Sequence, residues 1–333
     1  MYKTDVVVIG AGPVGLFSVF QASMVGLKVH VVDALPMIGG QCAALYPEKP
    51  IYDIPAHPKI LGAELIENLE KQILPFSPTL HLEQKVTHVT SKDGGFEIIT
   101  DKGDEIWTKV IFIAAGVGAF GPNRPPLESI ESFEGKSVFY LVRERAFFAG
   151  KKLIIAGGGD SAVDWTLSLA EVVSHITLVH RRDKFKAHAE SLNQLKKLEE
   201  SGKITLLTPY QLHGLTGQDG ILTSVECMDF EGKILSIPTD ILLPFYGLAT
   251  NLGPITQWGL QIDRHTIPVD PSSCATSIPG IYAIGDVAHY PGKLKLILCG
   301  FSEGAMAAHS ARAHIHPGEV FHFEHSTTTG VKK

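Results

Sequence analysis

Hydrophobic runs followed by glycine-rich turns divide the chain into recurring elements. Residues 5–9 read D-V-V-V-I, a β-branched run typical of a strand buried on both faces of a parallel sheet. The run leads into a glycine-rich turn at residues 10–15, an apolar helical stretch to about residue 25 and a second strand at residues 28–32. This order predicts a βαβ unit at the start of the chain.

The same order of elements returns near the middle of the chain. Residues 152–156 predict a strand, residues 157–162 read G-G-G-D-S-A, and residues 163–173 have the apolar periodicity of a helix. A further strand is predicted at residues 176–179. One chain therefore carries two copies of a nucleotide-binding pattern.

The segments outside these copies have other patterns of hydrophobic and polar residues. Residues 86–113 contain alternating runs separated by K-D-G-G and D-K-G-D, which predict antiparallel hairpins. Residues 118–150 hold several prolines without clear periodicity and predict a connection between domains. The remaining predicted elements are a polar helix at 187–201, strands near 204–208, 222–230 and 241–243, a strand at 280–286 ending in Gly-Asp, and a small-residue helix at about 300–314.

Length and composition fit two globular domains. The chain has 333 residues, of which 44% are apolar and 19% are charged, so it is neither a disordered tail nor a solvated coiled coil. Together with the two βαβ copies, this composition predicts an α/β fold with two Rossmann-like dinucleotide-binding domains.

Charge and cysteine content argue against several classes of protein. The 29 basic and 35 acidic residues give a net charge of −6, which disfavours a nucleic-acid partner. The uncharged run at residues 6–27 contains the glycine turn and polar side chains, so we expect no membrane span. The four scattered cysteines form no C-x-x-C pair, and they predict a reducing compartment, the cytoplasm.

The first glycine turn has the sequence context that dinucleotide binding requires. Gly10, Gly12 and Gly15 follow a strand and open a helix, whose free amide groups and dipole stabilise a pyrophosphate. Asp33 stands at the end of the next strand, where a carboxylate can accept hydrogen bonds from both hydroxyls of an adenosine ribose. These residues predict a site for a dinucleotide without a 2′-phosphate.

The second turn, which contains Gly157, Gly159 and Ser161, differs at the matching strand end. Asp33 lies 23 positions after Gly10, and the same step from Gly157 reaches His180, which Arg181 and Arg182 follow. A carboxylate there would repel a 2′-phosphate, whereas two guanidinium groups bind one through charge-assisted hydrogen bonds. The second site is therefore predicted to bind NADP(H) rather than NAD(H).

Two dinucleotide sites on one chain predict a flavoprotein oxidoreductase in which FAD stays bound and NADPH delivers a hydride. A flavin accepts two electrons together and releases them singly, so the cofactor supplies the chemistry and no catalytic side chain is required. A protein that senses nucleotides by holding FAD and NADPH without turnover remains the alternative from another class.

Four motifs together resemble the low-molecular-weight thioredoxin reductases. They are G-A-G-P-V-G at 10–15, G-G-G-D-S-A at 157–162, H-R-R-D-K-F-K at 180–186 and G-I-Y-A-I-G-D at 280–286. The resemblance implies a three-layer ββα architecture with an NADPH-binding domain, residues 121–245, inserted into a discontinuous FAD-binding domain, residues 1–120 and 246–333. It also implies that Asp286 binds the flavin ribityl chain.

The cysteines separate this chain from the disulfide reductases of that architecture. Thioredoxin reductases have a C-x-x-C dithiol just before the second glycine turn, but residues 137–143 here contain no cysteine. A bacillithiol-disulfide reductase-like group has a cysteine inside the first turn, where this chain has Val14. The chain is most similar to the ferredoxin–NADP reductases of the thioredoxin-reductase-like type (type 2), through residues 39–49, residues 51–53 and the C-terminal H-S-T at 325–327.

This second resemblance implies further cofactor contacts. One departure is Pro50, because some members have a flavin-stacking tyrosine there, so stacking would fall to Tyr46, Tyr52 or the tail residue His325. The implied contacts to FAD are Gln41 and Tyr46 at the flavin, Val86 at the adenine end, Phe120 along the cofactor and Thr327 at the isoalloxazine.

The resemblance also implies the partners and the reaction. Hydride from NADPH reaches the flavin, single electrons leave to ferredoxin or flavodoxin, and the enzyme is a homodimer. We expect a local basic patch to dock the acidic partner, with Lys293 and Lys295 as candidates. The alternative within enzymes is NADPH-dependent reduction of a small acceptor, a quinone or a disulfide. No metal is expected, because the spacing of the tail histidines matches no metal motif.

Overall fold

Short helices and strands alternate along the chain as the two glycine-rich copies require. The computed structural model describes residues 1–319 and Gly330, without the side chains of residues 119–122 and 248–250. The α-helices are α1 (Pro13–Met24), α2 (Gly40–Ala44), α3 (Gly62–Ile73), α4 (Asp160–Leu169), α5 (Ala189–Glu200) and α6 (Ile297–Ile315). The strands are β1 (Tyr2–Ile9), β2 (Val29–Val32), β3 (Pro50–Ile51), β4 (Ile60–Leu61), β5 (Thr79–His81), β6 (Val86–Lys92), β7 (Gly95–Thr100), β8 (Glu105–Ile113), β9 (Ala119–Pro122), β10 (Lys152–Ala156), β11 (His175–Val179), β12 (Ile204–Leu207), β13 (Gln211–Gln218), β14 (Ile221–Met228), β15 (Ile234–Pro238), β16 (Ile241–Pro244), β17 (Leu248–Asn251), β18 (Ile267–Pro268), β19 (Ile281–Ala283) and β20 (Ala288–His289).

The chain divides into two compact units. Unit 1 consists of Met1–Phe120 and Thr250–Lys333, and unit 2 consists of Gly121–Ala249. Each unit contains one of the two glycine turns, the first in unit 1 and the second in unit 2. The assignment of FAD to unit 1 and NADPH to unit 2 stays a prediction.

One large sheet organises unit 1, with the strand order β5-β2-β1-β8-β7-β6. Strands β5, β2, β1 and β8 run parallel, and the predicted hairpins are present as antiparallel pairs between β6, β7 and β8. Strand β8 pairs with β7 near its beginning and with β19 near its end. The carboxyl ends of β1, β2 and β19 therefore meet at one edge of the sheet, where ligands bind in open α/β sheets.

Small side chains let two helices of unit 1 pack closely. Ala307, Ala308 and Ala311 of α6 are fully buried, and they share one hydrophobic cluster with Leu16 and Val19 of α1. A Cβ atom built on Gly304 of α6 would lie 3.3 Å from the Ser18 side chain of α1, so the two backbones approach one another directly. This packing fixes the position of α1 and hence of the turn that precedes it.

Unit 2 repeats the parallel sheet on a smaller scale. Its strands follow the order β12-β11-β10-β16, all parallel, and β13, β14 and β15 form a separate antiparallel sheet. The β-branched and leucine side chains of β10 and β16 are almost fully buried, as expected for the central strands of a covered parallel sheet.

The interpretation of residues 118–150 as a connection between domains is wrong for most of that segment. Several of its apolar side chains are buried in unit 2, four of them in one hydrophobic cluster with strands of that unit. The segment forms short 3-10 turns rather than an α-helix or a long strand. The buried side chains are Leu127, Ile130, Phe133, Val138, Val142 and Phe148.

One other segment differs from the pattern-based prediction, and one agrees with it. The strand predicted at residues 280–286 is limited to β19, because Gly285 has φ +74° and starts a 3-10 turn, Gly285–Val287. The uncharged run at residues 6–27 contains a strand, a turn and a helix, as predicted. No helix among the described residues is long and apolar enough to cross a bilayer.

Candidate dinucleotide-binding sites

Two glycines of the first turn are required by the protein's own packing. A Cβ atom on Gly10, where φ is +110°, would lie 2.4 Å from the carbonyl oxygen of Ala114. A Cβ atom on Gly15 would lie 1.9 Å from the carbonyl oxygen of Gly10. These glycines shape the turn from inside, so they do not by themselves indicate a ligand.

The middle glycine of each turn is not required by the packing of the protein. A Cβ atom on Gly12 would meet only the Cα atom of Gly40, at 4.0 Å, and one on Gly159 would meet nothing within 4 Å. Both residues have negative φ, which any side chain tolerates. Each is the N-cap of its helix, and neither helix has a side-chain cap for its first amide groups. An open backbone face with uncapped amides fits a pyrophosphate.

Asp33 closes the first turn from the end of β2. Its side chain is buried, Oδ2 accepts a hydrogen bond from the Ala11 N–H at 2.5 Å, and Oδ1 accepts one from the Leu35 N–H at 2.7 Å. Burial raises the pKa of Asp33, and the two amide hydrogen bonds partly oppose that rise. A carboxylate has about four acceptor positions, so each oxygen can accept a further hydrogen bond from a ribose hydroxyl.

Short helix α2 is attached to the first turn by its backbone. The Gly39 N–H donates to the carbonyl of Ala11 at 2.7 Å, and a Cβ on Gly40 would lie 3.0 Å from the Cα of Gly12. Gln41 therefore lies one residue from the open face of the turn, with its Nε2 about 3.7 Å from the position that a Cβ on Gly116 would take.

Tyr46 lies close to Asp286 within unit 1. The Cys42 S–H donates to the Tyr46 hydroxyl at 3.7 Å. Burial raises the pKa of Cys42 to about 11, and the negative charge of Asp286 contributes to this rise. Burial and the same neighbours also raise the pKa of Tyr46, so its hydroxyl stays protonated. Val86, at the start of β6, shares a hydrophobic cluster with Ile9 and Val32, next to Asp33.

The second turn has the same backbone and a different closing residue. Its second glycine, Gly158, corresponds to Ala11 of the first turn, and a Cβ there would lie only 2.1 Å from Cε1 of His180. The imidazole thus occupies the space that the Ala11 methyl group fills in the first copy. Burial lowers the pKa of His180, a backbone hydrogen bond with Lys184 partly opposes that fall, and the charges of Arg181 and Arg182 lower the pKa further. The ring is therefore neutral at pH 7.

The loop after His180 folds back onto the second turn. The Lys186 N–H donates to the carbonyl of Gly158 at 2.6 Å, and the rings of His180 and Phe185 lie 5.1 Å apart. The His188 N–H donates to Oδ1 of Asp160 at 3.3 Å, at the start of α4. Arg181 and Arg182 lie within this anchored loop and are exposed, as is Ser161 in the first turn of α4.

The cysteines offer no paired thiols to pass electrons. All four are free, and burial raises the pKa of Cys42 to about 11 and that of Cys227 and Cys274 to about 12. Reactive dithiols require a thiol whose pKa lies well below its ordinary value. These three cysteines therefore behave as small core residues.

Several predicted residues lie apart from the sites or outside the described residues. Thr327 and His325 are outside the described residues, and Phe120 lies on β9 with its side chain undescribed. Tyr52 is 66% exposed, whereas Tyr46 is partly buried. Among residues 1–319 and Gly330 no three metal-ligating side chains come together.

The expectation that Lys293 lies in an exposed docking patch is wrong. Its side chain is 3% exposed and forms an ion pair with the buried carboxylate of Glu303. The sequence alone does not separate it from Lys295, which is exposed two residues later. Glu303 itself was not singled out, although a single carboxylate inside the small-residue helix α6 was a detectable feature.

Val14, inside the first glycine turn, has a packing role that its position in the sequence does not show. A Cβ on Gly300 would lie 2.3 Å from Cγ2 of Val14, and one on Gly285 would lie 3.4 Å from its Cγ1. Val14 therefore packs the first turn of α1 against both the beginning of α6 and the Gly285-Asp286 turn. Two of these segments, the first glycine turn and the Gly285-Asp286 turn, carry predicted FAD contacts.

Comparisons with known proteins agree with this arrangement of two dinucleotide sites. The profile of the family described as pyridine nucleotide-disulphide oxidoreductase matches residues 4–314. A ferredoxin–NADP reductase of Paramagnetospirillum magneticum is 57% identical over 100% of this chain and 99% of its own length, and one of Granulibacter bethesdensis is 54% identical over 98% and 94%. Among solved structures, thioredoxin reductase of T. acidophilum superposes with a TM-score of 0.82 at 25% identity, covering 94% of this chain and 99% of its own.

Proposed function

Because the chain belongs to the pyridine nucleotide-disulphide oxidoreductase family, and within it to the ferredoxin–NADP reductases, we propose that it transfers electrons between NADPH and ferredoxin through bound FAD. Flavodoxin is the alternative protein acceptor. The reaction is an oxidoreduction in which NADPH supplies a hydride and the acceptor takes single electrons.

One observation carries the proposal: two glycine turns of the same design end on residues of opposite charge. Asp33 offers a carboxylate at the first turn, and Arg181 and Arg182 offer guanidinium groups at the second. A carboxylate suits the free ribose of FAD, whereas guanidinium groups suit the 2′-phosphate of NADPH. A protein with this pair of sites binds two different dinucleotides at once.

The chain's own residues bind and orient the two cofactors. When bound, FAD accepts the hydride and releases its electrons one at a time. Gly10, Gly12 and Gly15 give the FAD pyrophosphate access to the amides of α1, and Gly157, Gly159 and Ser161 do the same for NADPH at α4. The other proposed contacts to FAD are Asp33, Gln41, Tyr46, Val86, Phe120, Asp286 and Thr327, with His325 as a possible stacking ring.

The thiols of this chain support a protein acceptor over disulfide chemistry. No C-x-x-C dithiol precedes the second turn, and burial raises the pKa of three of the four cysteines. A thiol relay from flavin to substrate is therefore missing, and electrons leave the flavin directly. A one-electron carrier such as ferredoxin is the natural recipient.

The decisive assay couples the purified, FAD-loaded protein to cytochrome c reduction with NADPH, in the presence and absence of ferredoxin. The proposal predicts a rate that rises with ferredoxin concentration and saturates. Equal rates with and without ferredoxin or flavodoxin would contradict it and favour a flavin reductase of small acceptors. A yellow protein that NADPH does not bleach would instead indicate a nucleotide-sensing protein.

We also propose that the protein is a cytoplasmic homodimer. The four free cysteines are consistent with a reducing compartment, and the dimer rests on the resemblance to type 2 ferredoxin–NADP reductases. Light scattering of the purified protein tests the dimer, and a monomer at micromolar concentration would exclude it. Lys295 remains a candidate contact for an acidic partner, because its side chain is exposed.

A further inference from the structure

Glu303 is a carboxylate without any access to solvent. It lies in the second turn of α6, and its exposed fraction is 0%. Removing a carboxylate from water costs several kcal/mol, so a buried one survives only where donors surround it. The identity of those donors indicates what the residue does.

Three donors from one loop region meet the Glu303 carboxylate. The Gly285 N–H donates to Oε2 at 2.7 Å, and the Tyr290 hydroxyl donates to Oε1 at 2.7 Å. Lys293 forms an ion pair with Oε1, and its side chain is only 3% exposed. Burial and the hydrogen bond to Glu303 raise the pKa of Tyr290, so its hydroxyl remains a donor.

Stability alone does not explain this cluster. Replacing a buried ion pair by apolar residues of similar volume is often neutral or stabilising, so such a pair is weak support for a purely structural role. The position of the cluster gives a better explanation. Its backbone partner, Gly285, directly precedes Asp286 in the 3-10 turn at the carboxyl end of β19.

The turn that contains Asp286 is anchored on both sides. The Ile284 N–H donates to the carbonyl of Ile113 before it, and Val287 is fully buried after it. Within the turn, Gly285 is the residue that Glu303 contacts. Gly285 has φ +74°, a conformation that glycine reaches without steric cost but also leaves easily. Val14 contacts Gly285 from the α1 side, and Glu303 holds its N–H from the α6 side. The carboxylate therefore fixes the orientation of the peptide group between Ile284 and Gly285, one residue before Asp286.

We propose that Glu303 is a positioning residue for FAD, acting through the Gly285 N–H to hold Asp286 in its binding orientation, with Tyr290 and Lys293 holding the carboxylate in turn. The inference rests on the proposed function, because it takes unit 1 as the FAD site. It assigns roles to Glu303, Tyr290 and Lys293, which are not among the predicted FAD contacts.

Two double variants of the full-length chain separate this role from a structural one. K293M/E303Q removes both charges and keeps an amide oxygen that can accept from Gly285, whereas K293M/E303M removes the acceptor as well. The two replacements have similar size, so packing is matched. We expect K293M/E303M to bind FAD about tenfold more weakly than K293M/E303Q, measured by fluorescence titration of protein stripped of FAD.

Further measurements make the result decisive. If the role runs through Asp286, then adding D286N to K293M/E303M causes little additional loss, because coupled residues are not additive. T239V is the control: Thr239 is buried in unit 2, donates to two carbonyl groups and should leave FAD affinity unchanged. Each variant is also melted without FAD to separate binding from folding.

The outcomes distinguish the inference from the proposed function. Failure of the wild-type chain to bind FAD would overturn the proposed function. Tight FAD binding by the wild type, with equal affinities for K293M/E303M and K293M/E303Q, would overturn the positioning role. If K293M/E303M does not fold, E303D serves instead: it keeps the charge but withdraws the carboxylate from Gly285, and unchanged FAD affinity in E303D would equally overturn the role.

Discussion

The two glycine turns share a backbone and differ in the residue that closes them. In the first, the Asp33 carboxylate accepts from the Ala11 N–H and leaves room for the Ala11 methyl group. In the second, the His180 ring lies against Gly158, where a methyl group would be only 2.1 Å from the imidazole. The change from alanine to glycine within the turn thus accompanies the change from aspartate to histidine at the strand end.

This difference shows which parts of a dinucleotide site are generic and which are specific. Gly10 and Gly15 exist for the turn itself, and Gly12 and Gly159 leave an open face in both copies. In the proposed function, the end of the second strand selects which ribose is accepted. One copy presents a buried acid there, and the other presents a neutral ring followed by two exposed cations.

The largest expected effect comes from removing those cations. R181A/R182A should lower kcat/KM for NADPH while leaving that for NADH nearly unchanged, because only NADPH carries the 2′-phosphate. Each lost charge-assisted hydrogen bond costs on the order of 1.5–3 kcal/mol, or roughly tenfold to a hundredfold. Steady-state kinetics with both nucleotides measures the change, and an equal loss for NADPH and NADH would show that the pair does not read the 2′-phosphate.

The open faces of the turns provide a second, smaller test. G12L should weaken FAD binding and G159L should weaken NADP⁺ binding, each by about tenfold or more, because the new side chain fills the space of a pyrophosphate. A Cβ atom at either position would meet no protein atom closer than 4.0 Å, so we expect thermal stability without ligand to change little. Titration of both variants with both nucleotides should give opposite patterns, and loss of the same nucleotide in both would refute the assignment of the two turns.

A third test concerns the stability of unit 2, where Gly158 lies against the His180 ring. G158A forces the His180 ring to move, and we expect it to destabilise unit 2 by about 1–3 kcal/mol, as overpacking does. G159A is the matched control, since its added methyl group meets nothing within 4 Å. Urea denaturation of both variants measures the difference. Equal stabilities would mean that the ring leaves Gly158 without cost.

The smallest effect concerns pH. The folded pKa of His180 lies below its ordinary value of 6.5, so between these values the unfolded chain binds more protons than the folded one. The free energy of unfolding of wild type should therefore fall as pH drops from about 7.5 to about 5.5. H180Q should reduce that slope in urea denaturation, and an identical slope would show that His180 does not contribute.

The sequence alone predicted most of the scaffold of both sites. Local features, namely β-branched runs and glycine spacing, predict the elements around each turn. These elements are strands β1 and β10, the two glycine turns and helices α1 and α4. The closing residues Asp33 and His180 followed from counting along the second strand, because parallel strands place matching positions at one sheet edge. The family then follows from how these local motifs combine.

The features that were missed depend on contacts distant in sequence. Residues 118–150 pack into unit 2 because scattered apolar residues reach its core, which no local periodicity shows. Lys293 and Lys295 lie in the same short segment and look alike in the sequence. Only the fold places Lys293 against Glu303. The packing of Val14 on Gly285 and Gly300 likewise joins three segments that the sequence keeps far apart.

In the proposed reaction, electrons pass from NADPH through the flavin to a one-electron acceptor without a thiol relay. Anaerobic titration of the FAD-loaded protein with a stoichiometric reductant tests this route most directly, because it counts the electrons that the protein stores. We expect two electrons per FAD and full reoxidation by ferredoxin. Uptake of four electrons per FAD would reveal a second, disulfide-type centre and contradict it.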